Sequence, residues 1–311
     1  MVQSVPDVRA VTAASTPLER LARDGDPPHL QDAEIVEGAT LRAHKVPRAP
    51  VAAFAAFLDG AQESQVLAWV GAAPIVFGTV AAVIRERVDR RLVTAEPPLI
   101  ERRIYAPLAY APAAALAEAF PGPSLVDTAR PDRDGAIPPR HPMVLLERAR
   151  NAVSRDREEL EVRLAERWCE LRHEPLMIDG GIGGSEITAR AACAIGVVKS
   201  HRTMYVDGAA LETVLALDDG ERSSVIRIAP RDRAAVHSWY LRLRSPAGRD
   251  ALFALVRVEV AEHEGDPAAR ADEVSRWVLA ESRPLAVPDP RWDRMAYGVR
   301  SCEQFLRAVA G

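Results

Sequence analysis

Hydrophobic and polar positions along the chain first form an apolar run at residues 51–60, VAAFAAFLDG, which predicts a buried strand. Two further β-rich runs follow, PIVFGTVAAVIRERV at 74–88 and LIERRIYAP at 99–107. Because these runs are consecutive and joined by short polar turns, we expect a three-stranded meander. Residues 1–48 are polar and interrupted by prolines, so they are predicted to form an N-terminal arm with one short helix near 17–22.

Helical patterns dominate the middle of the chain. PAAALAEAF predicts a short helix, and residues 121–142, rich in Pro, Gly and Asp, predict a surface insertion without regular structure. The longest helix is predicted at about 144–172. It leads directly into PLMIDG at 175–180, a buried strand that ends in Asp179.

The C-terminal half alternates strands with helices, which predicts an α/β fold. The predicted strands are CAIGVVKS, SSVIRIAP, SWYLRLRS and ALFALVRVEV, and the predicted helices are DGAALETVLAL, 268–281 and 297–309. In SWYLRLR, apolar residues alternate with Tyr240, Arg242 and Arg244, so we expect a half-buried strand whose basic face is a candidate lining for a DNA channel.

Composition limits the class of protein. The 311 residues are 48% hydrophobic and 27% charged, which suits one large or two small globular domains. The three cysteines lie far apart without CxxC spacing, which indicates neither a disulfide framework nor a zinc site and favours a reducing cytoplasm. No apolar stretch approaches the roughly 18 residues of a membrane helix, so we expect a soluble, cytoplasmic protein with no membrane partner.

Two Asp-Gly pairs follow buried runs, in AFLDG at 56–60 and LMIDG at 176–180. Each is predicted to deliver an aspartate where the chain turns out of the sheet. Two carboxylates that converge repel each other unless a divalent cation lies between them, and hard oxygen ligands suit Mg²⁺ or Mn²⁺. The alternative is that Asp-Gly is a common turn dipeptide. A third pair, Asp207-Gly208, is predicted to cap the helix that follows it.

A third carboxylate can come from the long helix. Helical phase at 100° per residue puts Val153, Leu160, Leu164, Trp168 and Leu171 on the face that packs on the core. Glu161 lies at the margin of that face and Glu159 on the opposite side, with Glu158 and Glu166 farther away than Glu161. Glu161 is therefore the best third ligand.

Phosphodiester hydrolysis needs an attacking hydroxide and relief of charge on the leaving oxygen, which carboxylate-held divalent ions can supply. Lys199, at the end of GVVKS, could contact a phosphate as a point charge, or it could be a surface lysine at a strand end. Arg202 is a candidate contact to the DNA backbone, whereas His201 is expected to be merely exposed. The sequence has no P-loop, so an energy-driven process requires another protein.

AFLDGAQ, the glutamate-bearing helix before PLMIDGG, and CAIGVVKSHRT together resemble the NurA family of nucleases over roughly residues 50–310. The resemblance implies an RNase H-like mixed sheet flanked by helices over residues 49–311. It implies that Asp59, Glu161 and Asp179 bind catalytic Mn²⁺ or Mg²⁺. It also implies a homodimer that cuts DNA as exonuclease and endonuclease with a hexameric HerA-type ATPase, in end processing or defence.

Two alternatives remain open. The NurA family tends to carry a tyrosine and a histidine near the C-terminus, but this chain has Tyr297 and no histidine after His263. The chain could therefore be a catalytically inactive DNA-clamp or adaptor subunit of such an ATPase. The other alternative, an RNA-guided RNase H-like slicer, lacks an evident guide-binding portion.

Overall fold

The computed structural model describes residues 28–89, 91–131, 135–230, 233–262, 265–282 and 297–310. Within these ranges the chain has a mixed α/β fold, as predicted. The chain divides into two compact units. Unit 1 comprises Met1–Phe57, Arg87–Asp89 and Ala165–Arg300, and unit 2 comprises Leu58–Glu86, Arg90–Leu164 and Ser301–Gly311.

Strands and helices of the described residues correspond to every run predicted from Val51 onward, with shifted bounds. The strands are β1 (His29–Leu30), β2 (Glu34–Ile35), β3 (Ala43–Lys45), β4 (Ala56–Val70), β5 (Ala73–Val88), β6 (Arg91–Thr94), β7 (Leu99–Ala106), β8 (Ser124–Asp127), β9 (Leu176–Asp179), β10 (Ala194–Val198), β11 (Thr203–Met204), β12 (Glu221–Ser223), β13 (Ile226–Ile228), β14 (Val236–Arg242) and β15 (Leu255–Ala261). The helices are α1 (Ala113–Ala119), α2 (Pro142–Leu171), α3 (Glu186–Arg190), α4 (Gly208–Ala216), α5 (Pro267–Glu281) and α6 (Tyr297–Ala310). The helix predicted near 17–22 lies outside the described residues.

In unit 2 the strand order is β4, β5, β7, β8, with β6 paired to β5. The first three neighbours confirm the predicted meander. β5 and β7 are antiparallel. The prediction that residues 121–142 lack regular structure is wrong at β8, because Ser124–Asp127 pair in parallel with β7. A small apolar core forms where these strands meet α1; it contains Ala73, Ile75, Ile104, Ala106, Ala111 and Leu116.

In unit 1 the strand order is β2, β13, β14, β15, β10, β9. β9 and β10 are parallel, and β10, β15 and β14 are successively antiparallel. The described part of the predicted N-terminal arm contributes strands: β1 pairs with β11, β2 with β13 and β3 with β12. Asp207 accepts a hydrogen bond from the Gly208 N–H at the start of α4, so the predicted helix cap is confirmed.

The prediction that SWYLRLR is half-buried is wrong for β14. Tyr240 and Arg242 are both fully buried. The Arg242 guanidinium donates to the backbone carbonyls of Leu215, Leu217 and Ala251, which satisfies a buried cation within the protein. Arg242 therefore cannot line a DNA channel.

None of the described helices is both long enough and apolar enough to cross a membrane.

Candidate active site

One candidate site lies in unit 2 and is built by β4 and α2. Asp59 is 7% exposed and Glu161 is 8% exposed, so both carboxylates are buried. The backbone N–H of Gly60 donates to Oδ1 of Asp59 at 2.9 Å. Asp59 lies inside β4, which continues to Val70, so the prediction that the chain turns out of the sheet at Asp59 is wrong.

Residue 60 must be glycine because the side chain of Glu161 occupies the space of a Cβ, and not because the chain turns there. A Cβ at residue 60 would lie 2.1 Å from Oε1 of Glu161 and 3.0 Å from Cγ of Arg157. Any larger residue would clash, so the side chain of Glu161 packs directly against the strand at residue 60. The structure therefore brings Glu161 to the strand at Gly60, one residue after Asp59.

Arg157 supplies the positive charge beside these carboxylates. Its Nη1 donates to Oε1 of Glu161 at 2.5 Å, one helical turn later, and its Nε donates to Oε1 of Gln62 at 3.1 Å. Because Arg157 contacts both β4 and Glu161, it holds the helical carboxylate against the strand. Arg157 is not among the residues predicted for the site, although its i, i+4 spacing from Glu161 is visible in the sequence.

Burial along α2 confirms the helical phase at Glu161. Glu158 and Glu159 are exposed, whereas Glu161 is buried. Glu166 is half-buried and accepts a hydrogen bond from the Ser185 hydroxyl at 2.6 Å, so it supports the cap of α3. Leu171, predicted on the packed face, is 68% exposed because α2 ends there.

A buried charge cluster in unit 2 was also missed. Asp156 is 6% exposed and accepts hydrogen bonds from Nη1 of Arg103 at 2.6 Å and from the Tyr105 hydroxyl at 2.7 Å. Burial, then the hydrogen bond to Asp156, raises the pKa of Tyr105. Burial also opposes ionisation of Glu101, but hydrogen bonds from Arg103 and Arg163 outweigh it and lower the pKa of Glu101. Alternation on β7 places Glu101, Arg103 and Tyr105 on one face.

A second candidate site, in unit 1, lies at the end of β9. Asp179 is the last residue of that strand, and Gly180 has φ +142°, so here the predicted turn after an aspartate is confirmed. Nζ of Lys199 forms an ion pair with Oδ2 of Asp179. The register explains the contact, because Asp179 pairs with Val197 and Lys199 follows two residues later on the same side of β10.

Glu259 on β15 fixes the backbone that follows Asp179. Its carboxylate is 6% exposed, accepts a hydrogen bond from the Ile182 N–H at 2.8 Å and forms an ion pair with Arg257. The turn passes over Gly196, where a Cβ would lie 2.6 Å from the carbonyl oxygen of Gly180. Two features of the sequence indicate this arrangement. Gly196 lies inside an apolar strand, and Arg257 and Glu259 alternate along β15.

His201 and Arg202 differ in what surrounds them. His201 is half-buried, its Nε2 donates to the Leu255 carbonyl at 2.8 Å, and its ring lies 6.2 Å from the ring of Tyr240. The prediction that His201 is merely exposed is therefore wrong. Arg202 is half-buried and its carbonyl accepts the His29 N–H that joins β1 to this segment. The side chain of Tyr297 lies outside the described residues.

The residues of unit 2 fit a hard divalent cation in their chemistry, because Asp59 on β4 and Glu161 on α2 are both buried carboxylates and Glu161 packs against Gly60. Both sites also carry cations of the protein itself, Arg157 on Glu161 and Lys199 on Asp179. Across the described ranges, no group of three or more His, Cys, Asp or Glu residues is arranged to hold a metal ion.

Comparison of the chain with protein-family models gives no match, and comparison with curated proteins gives none either. The resemblance to NurA nucleases therefore rests on the motifs of the sequence. What the structure adds is local geometry at Asp59, Glu161, Asp179 and Lys199.

Proposed function

We propose that the protein is a divalent-metal-dependent DNA nuclease with an RNase H-like fold, similar to the NurA family. The observation that carries the proposal is the close approach of Glu161 to Gly60, which places a buried helical carboxylate against β4 one residue after the buried Asp59. A glycine in the middle of a strand costs stability relative to larger residues, so its use where a buried carboxylate needs the space favours a functional pair. Asp179 is assigned to the same role by the resemblance.

Asp59 and Glu161 would hold Mn²⁺ or Mg²⁺ through their carboxylate oxygens. When bound, such an ion supplies an activated hydroxide and relieves charge on the leaving oxygen. Arg157 holds Glu161 in place through its ion pair. Lys199 orients Asp179 and is the candidate contact to a phosphate of the DNA, with Arg202 as a further backbone contact.

The proposal includes two protein partners. The sequence has no nucleotide-binding loop, and a net charge of −4 is unfavourable for holding DNA unaided. A hexameric HerA-type ATPase that moves DNA would supply both the energy and the grip. The protein would act in the cytoplasm as a homodimer, in DNA end processing or in defence.

A second candidate function is a catalytically inactive DNA-clamp or adaptor subunit of such an ATPase. The ion pairs Arg157–Glu161 and Lys199–Asp179 favour it, because each neutralises a proposed ligand with a side chain of the protein. A carboxylate kept for structure needs such a partner, whereas a metal ligand must exchange it.

Digestion of a linear duplex separates the two functions. We expect cleavage with Mn²⁺, none with EDTA, and faster digestion when the ATPase and ATP are added. The Asp59→Asn variant is the matched control, since it keeps the shape of the side chain and removes its charge. A stable complex with the ATPase that never cuts DNA in Mn²⁺ or Mg²⁺ would overturn the nuclease proposal in favour of the adaptor.

A further inference from the structure

The second half of β4 is exposed along its whole length. Residues 62–69, QESQVLAW, are all exposed, including Val66 at 41%, Leu67 at 42% and Trp69 at 50%. By contrast, residues 73–76 at the start of β5 are buried. We call residues 62–69 the β4 edge. Its large apolar side chains point to both faces of the sheet, because Val66 and Leu67 are successive residues of a strand.

Only one edge of this segment has a strand beside it within unit 2. β5 is the described neighbour of β4 there, and the two strands are joined by a tight turn at Gly71, which has φ +59°. The N–H groups of Ala55 and Ala56, which lie before the β4 edge in the sequence and belong to unit 1, donate to the Pro175 carbonyl next to β9. The β4 edge therefore presents backbone N–H and C=O groups that another strand can bond.

Sheet edges that remain free usually carry features that prevent pairing, such as lysine, proline, a bulge or short length. The β4 edge has no lysine or proline, and Glu63 is its one ionisable residue. Eight residues of strand extend over roughly 27 Å, which is long for an unprotected edge. Its length, apolar content and low charge are typical of an edge that is paired in use.

We propose that a second copy of this chain pairs with the β4 edge, antiparallel and about a two-fold axis near Val66. Self-pairing suits the charge pattern of the strand. With the axis at Val66, each Glu63 lies opposite Trp69 of the other copy, and the two carboxylates are about 20 Å apart along the strand. Val66 then meets its own counterpart, and Leu67 lies opposite Gln65 of the other copy, so apolar area is covered on both faces.

This inference specifies the surface of the homodimer proposed above and rests on that part of the proposal, but not on nuclease activity. Val66 lies next to the midpoint of the β4 edge, so in any two-fold register close to the centre it lies near its own copy. Val66→Glu and Val66→Arg should each weaken the dimer about tenfold or more, because like charges then face each other across the axis.

Analytical ultracentrifugation over a range of concentrations tests the proposal. Wild type should be dimeric, each Val66 variant should be shifted to monomer, and an equimolar mixture of Val66→Glu and Val66→Arg should recover the dimer, because opposite charges attract. Met143→Glu, at a 65% exposed apolar residue of unit 2, is the matched control and should leave the dimer intact. Circular dichroism and thermal unfolding of each variant confirm that it is folded.

Recovery of the dimer only in the mixture requires that residue 66 meets residue 66, so no other surface explains it. A monomeric wild type, Val66 variants that stay dimeric, or a mixture that stays monomeric overturns the proposal. Loss of ATPase binding by both Val66 variants without recovery in the mixture also overturns it and points to a strand of that partner. A recovered dimer that never cleaves DNA supports the surface and contradicts only the nuclease proposal.

Discussion

Oε1 of Glu161 lies 2.1 Å from the position that a Cβ at Gly60 would occupy, so the buried carboxylate depends on the absence of a side chain one residue after Asp59. This contact joins a helix to a strand more than a hundred positions earlier in the sequence. It connects the stability of unit 2 to the geometry of the candidate site.

Gly60→Ala should displace Glu161 and Arg157 together. The methyl group cannot fit at that distance, and overpacking of this kind typically costs about 1–3 kcal/mol. Urea denaturation should therefore show lower stability, and DNA cleavage should fall with it. Gly184→Ala is the matched control, since a Cβ there has open space around it and should leave both measurements near wild type. Equal behaviour of the two variants would contradict the close packing at residue 60.

Glu161→Gln should lose metal binding and DNA cleavage, while Glu159→Gln should retain both. Glu161 is buried against Gly60 of β4, whereas Glu159 is exposed on the other side of α2. Isothermal titration with Mn²⁺ measures binding without relying on turnover. Because glutamine still accepts a hydrogen bond from Arg157, unfolding should change little. If Glu159→Gln were the variant that lost Mn²⁺ binding, Glu161 would not be a ligand.

The ion pairs of Glu101 should make unit 2 less stable at acid pH. The pKa of this carboxyl is lowered in the folded protein, so its contribution is present above its unfolded value, ordinarily 4.5, and is lost as pH falls through the folded value. Glu101→Gln should be less stable than wild type at pH 7, and the difference should shrink below about pH 4.5. Urea unfolding at both pH values measures it. Glu147→Gln, at an exposed residue of α2, is the control and should show no such convergence.

Local patterns in the sequence were sufficient for the long helices and strands from Val51 onward and for the phase of Glu161, because helix and strand periods are local properties. They did not predict the short elements β6, β8, β11, β12 and α3. They were also insufficient for Asp59 and Asp179, which occur in similar pentapeptides, AFLDG and LMIDG. Asp59 lies inside a strand of 15 residues, while Asp179 ends one of four. The two strands differ in length because β5 pairs with the polar segment after Gly60 and stabilises it. A pentapeptide does not reveal which strand will pair with it.

Residues that act through distant partners were missed for the same reason. Glu259 was part of an ordinary alternating strand until pairing of β10 with β15 set it opposite Gly196. Likewise, the alternation of β14 placed Arg242 on a basic face. The carbonyl groups that its guanidinium contacts come from loops in other parts of the sequence. The position of a charged residue in a strand does not by itself reveal whether its side chain contacts solvent, DNA or backbone carbonyl groups.

Glu259→Ala should destabilise unit 1 strongly, because it removes the acceptor of the Ile182 N–H and leaves Arg257 as a buried cation without this carboxylate. Breaking a buried pair in this way typically costs about 3–5 kcal/mol. Glu262→Ala, just after the end of β15, is the matched control, since the side chains of Glu262 and its partner Arg227 are each 38% exposed and the pair should contribute about 0–1 kcal/mol.

Thermal unfolding should separate Glu259→Ala from Glu262→Ala by many degrees. Glu259→Gln provides a second measurement if the alanine variant does not fold. Glutamine can still accept from the Ile182 N–H but cannot neutralise Arg257, so its stability should lie between that of wild type and that of Glu259→Ala. A Glu259→Ala protein as stable as Glu262→Ala would show that the turn after Asp179 is held by contacts other than Glu259.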